Sequence, residues 1–267
     1  MATEPNLPVM AALERIRVFP VKGLDGVDVH VADVLPGGTI EGDREFAFFD
    51  ADGTVLNGKR SQRVHELATD LDTETGLFVV ETPAGETKQF DLSADLQRAE
   101  SWFSDYFDAE LTLRRDGERG FVDRREMGPS VVSTATLETI ATWFDELTVD
   151  GVRRRLRANL EVSGVPAFWE DRFVGDDAPA FAIGDIRFEG VTSCGRCVVP
   201  GRDPDTGAVT PDFREQFMKK RRETFPEWAD ASEFEHFFTA MLIARVPESD
   251  RGRRLEVGDP VAVIDTE

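Results

Sequence analysis

The two cysteines of the 267-residue chain stand three apart, in Ser193-Cys194-Gly195-Arg196-Cys197-Val198-Val199-Pro200. A thiolate is the softest side-chain ligand and the strongest side-chain nucleophile, and a neighbouring cation favours it over the thiol. Arg196 stands directly beside Cys197, so the chain concentrates its thiol chemistry in one turn. Three chemical readings of such a pair compete with a plain one. A dithiol redox pair ends a strand and opens a helix inside a βαβ unit, but Pro200, Gly201, Pro204 and Gly207 prevent a long helix from starting here. A structural zinc site needs a second ligand pair, and the remaining donors of that kind, His30, His65 and His236, are scattered. The third reading makes one cysteine a soft ligand to a thiophilic metal such as molybdenum. The plain reading is two small buried residues.

Four more residues bear on the same question. Lys22 and Arg44 stand at the ends of predicted strands beside glycines, where either alone reads as surface charge. Arg157 and Asn159 alternate along a predicted strand within 153–162 and so point to one face. Arginine there offers bidentate contacts to phosphate. Together with the cysteine turn, these residues describe a basic pocket for a small anionic cofactor.

That pocket stands out against the charge of the chain, 52 acidic to 31 basic residues, net -21. Such a field repels nucleic acid and anionic membranes, so neither is expected as a partner. The acidity is spread along the chain, as in the solvated surfaces of proteins from high-salt cytoplasm, and no EF-hand loop gathers it. His236 reads as packed and His65 as part of a turn. No nucleophile elbow, P-loop or dinucleotide fingerprint is present.

The elements that must position these residues are mostly short strands. Residues 1–11 read as a loose leader without a signal peptide, and no apolar run reaches membrane-spanning length, so the cytoplasm is the expected compartment. Alternation predicts strands over 15–19, 27–34, 45–50, 77–80, 89–92 and 111–113, with a turn at Asp52-Gly53 and a short helix over 99–107. The charged stretch 114–128 reads as a boundary. Beyond it the pattern predicts a strand at 129–132, a helix over 135–147 capped by Thr134, and a hairpin over 181–191 running into the cysteine turn. A helix over 211–222 with Pro211 in its first turn, a strand at 241–246 and a C-terminal hairpin over 255–264 follow. The expected fold class is α+β, mostly β, with an N-terminal β-rich domain at 12–115 and a second domain at 116–267.

In this order the motifs resemble the MOSC domain family, in the branch with an N-terminal MOSC-associated β-barrel. That branch includes the mitochondrial amidoxime reducing component and bacterial reductases of N-hydroxylated bases. Phe19-Pro20-Val21-Lys22 resembles the family's Y-P-V-K, Gly42-Asp43-Arg44 its D-R, and Arg157-x-Asn159 its R-P-N. Cys194-Gly195-Arg196-Cys197 followed by Asp203-Pro204-Asp205-Thr206-Gly207 resembles C-x-R-C…D-P-x-T-G, and Val257-Gly258-Asp259-Pro260-Val261 resembles V-G-D-P-V. The resemblance implies a MOSC β-barrel in which Cys197 ligates molybdenum. It implies that Lys22, Arg44, Arg157 and Asn159, with Arg196 and the T-T-A-S-L-like Ser133 and Thr134, hold the molybdenum cofactor (molybdopterin). One departure is a charged insertion that stretches the family's F-x-D-x-x-P between Asp123 and Pro129. The implied activity is reduction of small N-hydroxylated compounds. No cysteine follows Cys197, so electrons are expected from a separate donor protein of iron–sulfur, flavin or haem type. The alternative is a cofactor carrier, or a sulfur carrier holding a persulfide, without reductase activity.

Overall fold

A computed structural model describes residues 10–72, 75–123 and 127–264. Residues 1–9 of the expected leader and residues 124–126 of the charged insertion lie outside the described residues. The N-terminal half carries β1 (Ala12–Val18), β2 (Val27–Val29), β3 (Val31–Asp33), β4 (Phe46–Phe49), β5 (Ala68–Asp72), β6 (Leu77–Glu81), β7 (Thr87–Phe90), α1 (Leu96–Phe107) and β8 (Thr112–Arg115). Next come β9 (Ser130–Ser133), α2 (Thr134–Ala141), α3 (Val149–Leu156), β10 (Leu160–Ser163), β11 (Ala180–Ile183) and β12 (Ile186–Gly195). The chain continues with α4 (Phe213–Glu223), β13 (Thr239–Arg245), β14 (Arg254–Glu256) and β15 (Val261–Ile264). The class is α+β, with strands well in excess of helices.

Eight strands form one mixed sheet in the order β15-β11-β12-β13-β9-β10-β1-β2, in which β9 and β10 run parallel and the other neighbours are antiparallel. The period-2 pattern of β1 explains its place: Leu13, Ile16 and Val18 are buried, while Arg15 and Arg17 turn outward. A bulge between Leu13 and Arg15 adjusts the register. One core lies against this sheet, joining Leu13, Ile16, Phe181 and Phe188 to Trp169 and Phe173. A second, around Phe48, Phe78, Phe90 and Phe103, fills the N-terminal half. A third packs α2, α3 and α4 together through Leu137, Leu156 and Phe217. Each such side chain contributes about 1.5–3 kcal/mol on leaving water.

The β11–β12 hairpin forms as expected, across Gly184 at φ +59. Several expected elements need correction. The stretch 153–162 is not one strand. Thr148 accepts the Gly151 N–H at 3.0 Å and starts α3, which buries Val152 and Leu156, and β10 begins only at Leu160. Ser133, not Thr134, caps α2, and that helix ends at Ala141, because Trp143 and Phe144 turn into the third core. Residues 27–34 split at His30 into β2, which joins β1, and β3, which joins β14. The C-terminal hairpin does not form: β14 pairs with β3 and β15 with β11. Pro211 precedes α4 rather than entering it, with Asp212 at the N-cap in the left-handed region. α1 starts earlier than expected, at Leu96, because Asp95 accepts the Arg98 N–H at 3.1 Å.

Candidate functional site

Strand β12 delivers Cys194 and Gly195 to its end. The Arg196 N–H then donates to Phe238 O at 2.8 Å, and Cys197 follows in the open turn. Both cysteines are free and half-buried. The Arg196 guanidinium reaches back to Cys194 rather than to Cys197. Its Nη1 donates to Cys194 Sγ at 3.1 Å and its Nη2 to Leu156 O at 2.8 Å. The turn is thereby tied to the C-terminal end of α3, where cations also suit the helix dipole.

The four arginines of that helix end go to different places. Arg153 turns away to Glu161, with Nε and Nη2 2.7 and 3.0 Å from the carboxylate oxygens. Arg154 pairs with Asp25 at 2.9 Å and with Asp205 at 2.7 Å. Arg155 is buried and donates to Pro200 O at 3.1 Å and to Arg202 O. Arg157 ends the helix at φ +60 and donates to Leu24 O at 2.6 Å, with its guanidinium 4.1 Å from the centre of the Phe19 ring. Arg44, at φ +54, lies 4.8 Å from the same ring and pairs with Asp43. Burial, with Arg44 close by, lowers the Arg157 pKa to about 10, so Arg157 stays protonated at neutral pH.

Lys22 donates to Asp123 at 2.6 Å. Burial pushes the Asp123 carboxyl up, but the Lys22 hydrogen bond and the charges of Lys22, Lys59 and Arg44 outweigh it and hold the carboxyl below its ordinary range. His65 Nε2 lies 3.3 Å from Gly58 O, and a side chain at Gly58 would begin 2.4 Å from that nitrogen and displace the ring. Burial, with the charges of Arg157 and Arg202, pushes the imidazole below its usual pKa and keeps it neutral at pH 7.

These residues surround a cleft of about 380 Å³, a size ordinary for small-ligand sites. Lys22, Arg44, Arg157, Asn159, Arg196 and Cys197 all line it. Asn159 does so as a strut. Its Oδ1 accepts from Ser130 N and Oγ at 3.1 and 3.0 Å, and its Nδ2 donates to Arg17 O at 3.2 Å. Ser133 and Thr134 are placed elsewhere: Ser133 is fully buried at the α2 cap, and Thr134 donates to Glu161 at 3.0 Å.

Eight cations line the cleft against three carboxylates, Asp25, Asp43 and Asp123, a local surplus of five positive charges in a protein of net charge -21. Lys59, Arg154, Arg155 and Arg202 belong to that set without having been singled out from sequence as site residues. A usable signal existed, since the base-bearing stretches 15–24, 53–65, 151–160 and 190–202 contain no acid and all border the cleft. The buried Nε atoms of Arg155, Arg196 and Arg202 have no hydrogen-bond partner. Of the six non-glycine residues with positive φ among the described residues, Arg44, Arg157 and Met241 line this cleft. Backbone strain of this kind concentrates at ligand sites.

The MOSC N-terminal beta barrel domain matches residues 10–148, and the MOSC domain matches residues 125–262. The chain belongs to the MOSC domain family. Mitochondrial amidoxime-reducing component 1 of Danio rerio is 23% identical over 99% of this MOSC protein and 88% of its own length. Mitochondrial amidoxime reducing component 2 of Bos taurus is 21% identical over 96% of this chain and 84% of its own. Molybdenum cofactor sulfurase of Caenorhabditis briggsae is 23% identical over 81% of this chain, which corresponds to 33% of the sulfurase. The homology is distant. Among the described residues, no helix is long and apolar enough to cross a membrane.

Proposed function

We propose that this MOSC protein binds the molybdenum cofactor and reduces small N-hydroxylated compounds with electrons from a separate donor protein. The observation that carries this reading is the convergence of Lys22, Arg44, Arg157 and Cys197, drawn from distant parts of the chain, on one cleft with five excess positive charges. The donor set suits a phosphate-bearing group with a soft metal. Cations are in surplus, three buried guanidinium nitrogens are unpaired, and a thiol lies on the wall. The relatives named for amidoxime reduction span nearly the whole chain.

When bound, the cofactor supplies two-electron oxygen-atom-transfer chemistry, and the protein supplies ligand, orientation and field. Cys197 would hold the metal through its sulfur. Lys22, Arg44 and Arg157 bind the anionic part of the cofactor, and Arg157 keeps its proton throughout the physiological range. Asn159 fixes the wall between them, and Arg196 fixes the turn that presents Cys197. In this reading a domain at 12–115 contributes Lys22 and Arg44, and one at 116–267 contributes the rest.

Protein purified from a molybdenum-replete host should contain molybdenum and pterin in roughly equal amounts, and Cys197→Ala should lose the metal. Native protein with neither would refute the reading. One observation favours a second reading, a cofactor or sulfur carrier: the Arg196 guanidinium rests on Cys194 Sγ, a sulfur the first reading does not use. A carrier would show a one-sulfur mass increase on a cysteine and no turnover of an amidoxime with reduced viologen.

A further inference from the structure

Of the three carboxylates that line the cleft, two are built into the backbone around it. Asp43 is buried, accepts the Phe19 N–H at 3.1 Å and pairs with Arg44. Asp25 accepts the Gly26 N–H at 2.8 Å and pairs with Arg17 and Arg154. Asp123 has no such anchor. Among the described residues its carboxylate bonds only to cations: Oδ1 accepts from Lys22 Nζ at 2.6 Å, and Oδ2 lies 3.7 Å from Lys59 Nζ. The side chain, hemmed in on its cleft side, is still 70% exposed.

The backbone just before Asp123 is fixed. Gly120, at φ +75, approaches so closely that a Cβ there would lie 2.4 Å from Asp43 O. That approach lets the Phe121 N–H donate to Arg44 O at 2.7 Å, and the Phe121 ring packs edge-on against Phe49 with 5.4 Å between centres. Two residues on, the chain delivers to Lys22 a carboxylate with no backbone N–H to hold it.

We infer that Asp123 is a built-in competitor for the anion site: its carboxylate takes the Lys22 ammonium that an anionic ligand needs, and binding requires it to swing out. The identity of that ligand, a phosphate group, rests on the cofactor-binding reading above. The exchange is favourable in one direction. An exposed ion pair contributes little net stability, and a carboxylate that turns outward regains water. A phosphate that reaches Lys22 also meets Arg44 and Arg157, to which Asp123 makes no bond, and with Asp123 gone eight cations face two carboxylates, a surplus of six. A singly charged anion gains no more from Lys22 than Asp123 already does. The competitor therefore screens the site against ordinary anions and yields to one that several cations can grip together.

The test uses the full chain produced without molybdenum cofactor, with inorganic phosphate as the probe and affinity read from the phosphate dependence of the melting temperature. Asp123→Asn should bind phosphate about two- to fivefold more tightly, the range of an exposed ion pair. Glu110→Gln removes the same charge from an exposed position off the cleft and should leave the affinity unchanged. In a Lys22→Ala background the gain from Asp123→Asn should shrink. Circular dichroism confirms folding, and Asp123→Ser repeats the test if the asparagine variant is misfolded. The inference is overturned if phosphate affinity is unchanged or lowered in Asp123→Asn, if Glu110→Gln gives the same gain, if the gain is undiminished without Lys22, or if no variant binds phosphate. Pterin content of protein from a molybdenum-replete host separates the two readings. If the unmodified protein lacks pterin while Asp123→Asn still gains phosphate affinity, the cofactor reading falls and the competitor stands. If the unmodified protein holds pterin and Asp123→Asn holds less, Asp123 is a cofactor ligand, and the reverse applies.

Discussion

Strand β9 begins at Ser130 on the cleft wall and ends at Ser133 in the interior, and its two ends manage polar groups in opposite ways. At Ser130 the amide of Asn159 ties three strands together, and the neighbouring cations outnumber the acids. At Ser133 the backbone N–H donates to Glu170 Oε2 at 3.3 Å, while Glu170 Oε1 is buried without a partner. Next to it, buried Asp171 pairs with fully buried Arg221. Burial pushes both carboxyls up. Arg221 opposes that push at Asp171 without reversing it, and at Glu170, where the Asp171 charge adds to burial, the pKa rises to about 7. The contrast shows what charge is for in each place. Beside the cleft, cations outnumber the acids they pair with and face open space; in the core, an acid without a cation is pushed toward its neutral form.

The comparison can be broken most forcefully at Arg221. Arg221→Met leaves Asp171 buried without its cation and should cost about 3–5 kcal/mol, read as a large fall in melting temperature. Molybdenum content per folded molecule should not change; a proportional loss would merge the two ends into one unit.

Glu170→Gln sharpens the interior end. The folded carboxyl binds its proton more tightly than the unfolded one, so between about 4.5 and 7 the native state holds the extra proton and its stability falls as pH rises. The variant should flatten the decline in melting temperature from pH 5 to pH 8, by on the order of 2–3 kcal/mol. An undiminished decline would move that titration to another group.

At the cleft end, Asn159→Ala should cost about 2 kcal/mol by leaving Ser130 N–H and Arg17 O unsatisfied. It should also reduce pterin retention, because the wall loses its strut. Ser133→Ala removes the α2 cap together with the hydroxyl's contacts to Thr136 Oγ1 at 2.8 Å and Pro166 O at 3.3 Å, and should cost about 1–2 kcal/mol, with pterin retention intact.

How much of this was legible follows from what each signal depends on. Strand β1 could be read from Arg15 onward because the alternation there is intact and Pro20 ends it, whereas the bulge between Leu13 and Arg15 hid its start at Ala12. Helix α3 could not, since three arginines in its last turn and a fourth at its C-cap mask the Val149, Val152, Leu156 stripe that Thr148 introduces. That error put Arg157 and Asn159 on one strand face, whereas Arg157 is a left-handed helix end and Asn159 lies just before β10. Both residues still line the cleft, because the motif spacing survives a change of secondary structure. The closing Val257–Val261 motif was visible, but its pairing was not: adjacent strands suggest a hairpin, and only tertiary contacts send β14 and β15 to different sheets.

That last pairing dictates when the cleft can exist. Asp33 of β3 sits opposite Arg254 of β14, and the Leu13 N–H donates to Asp259 O at 2.8 Å. Of the strands flanking Lys22 and Arg44, β3 and the start of β1 therefore wait for partners synthesised more than two hundred residues later. During translation the early segment remains unpaired at these edges, and closing so long a loop is slow. Closure of the cleft is thus a late event of folding, open only to a chain that has laid β14 against β3.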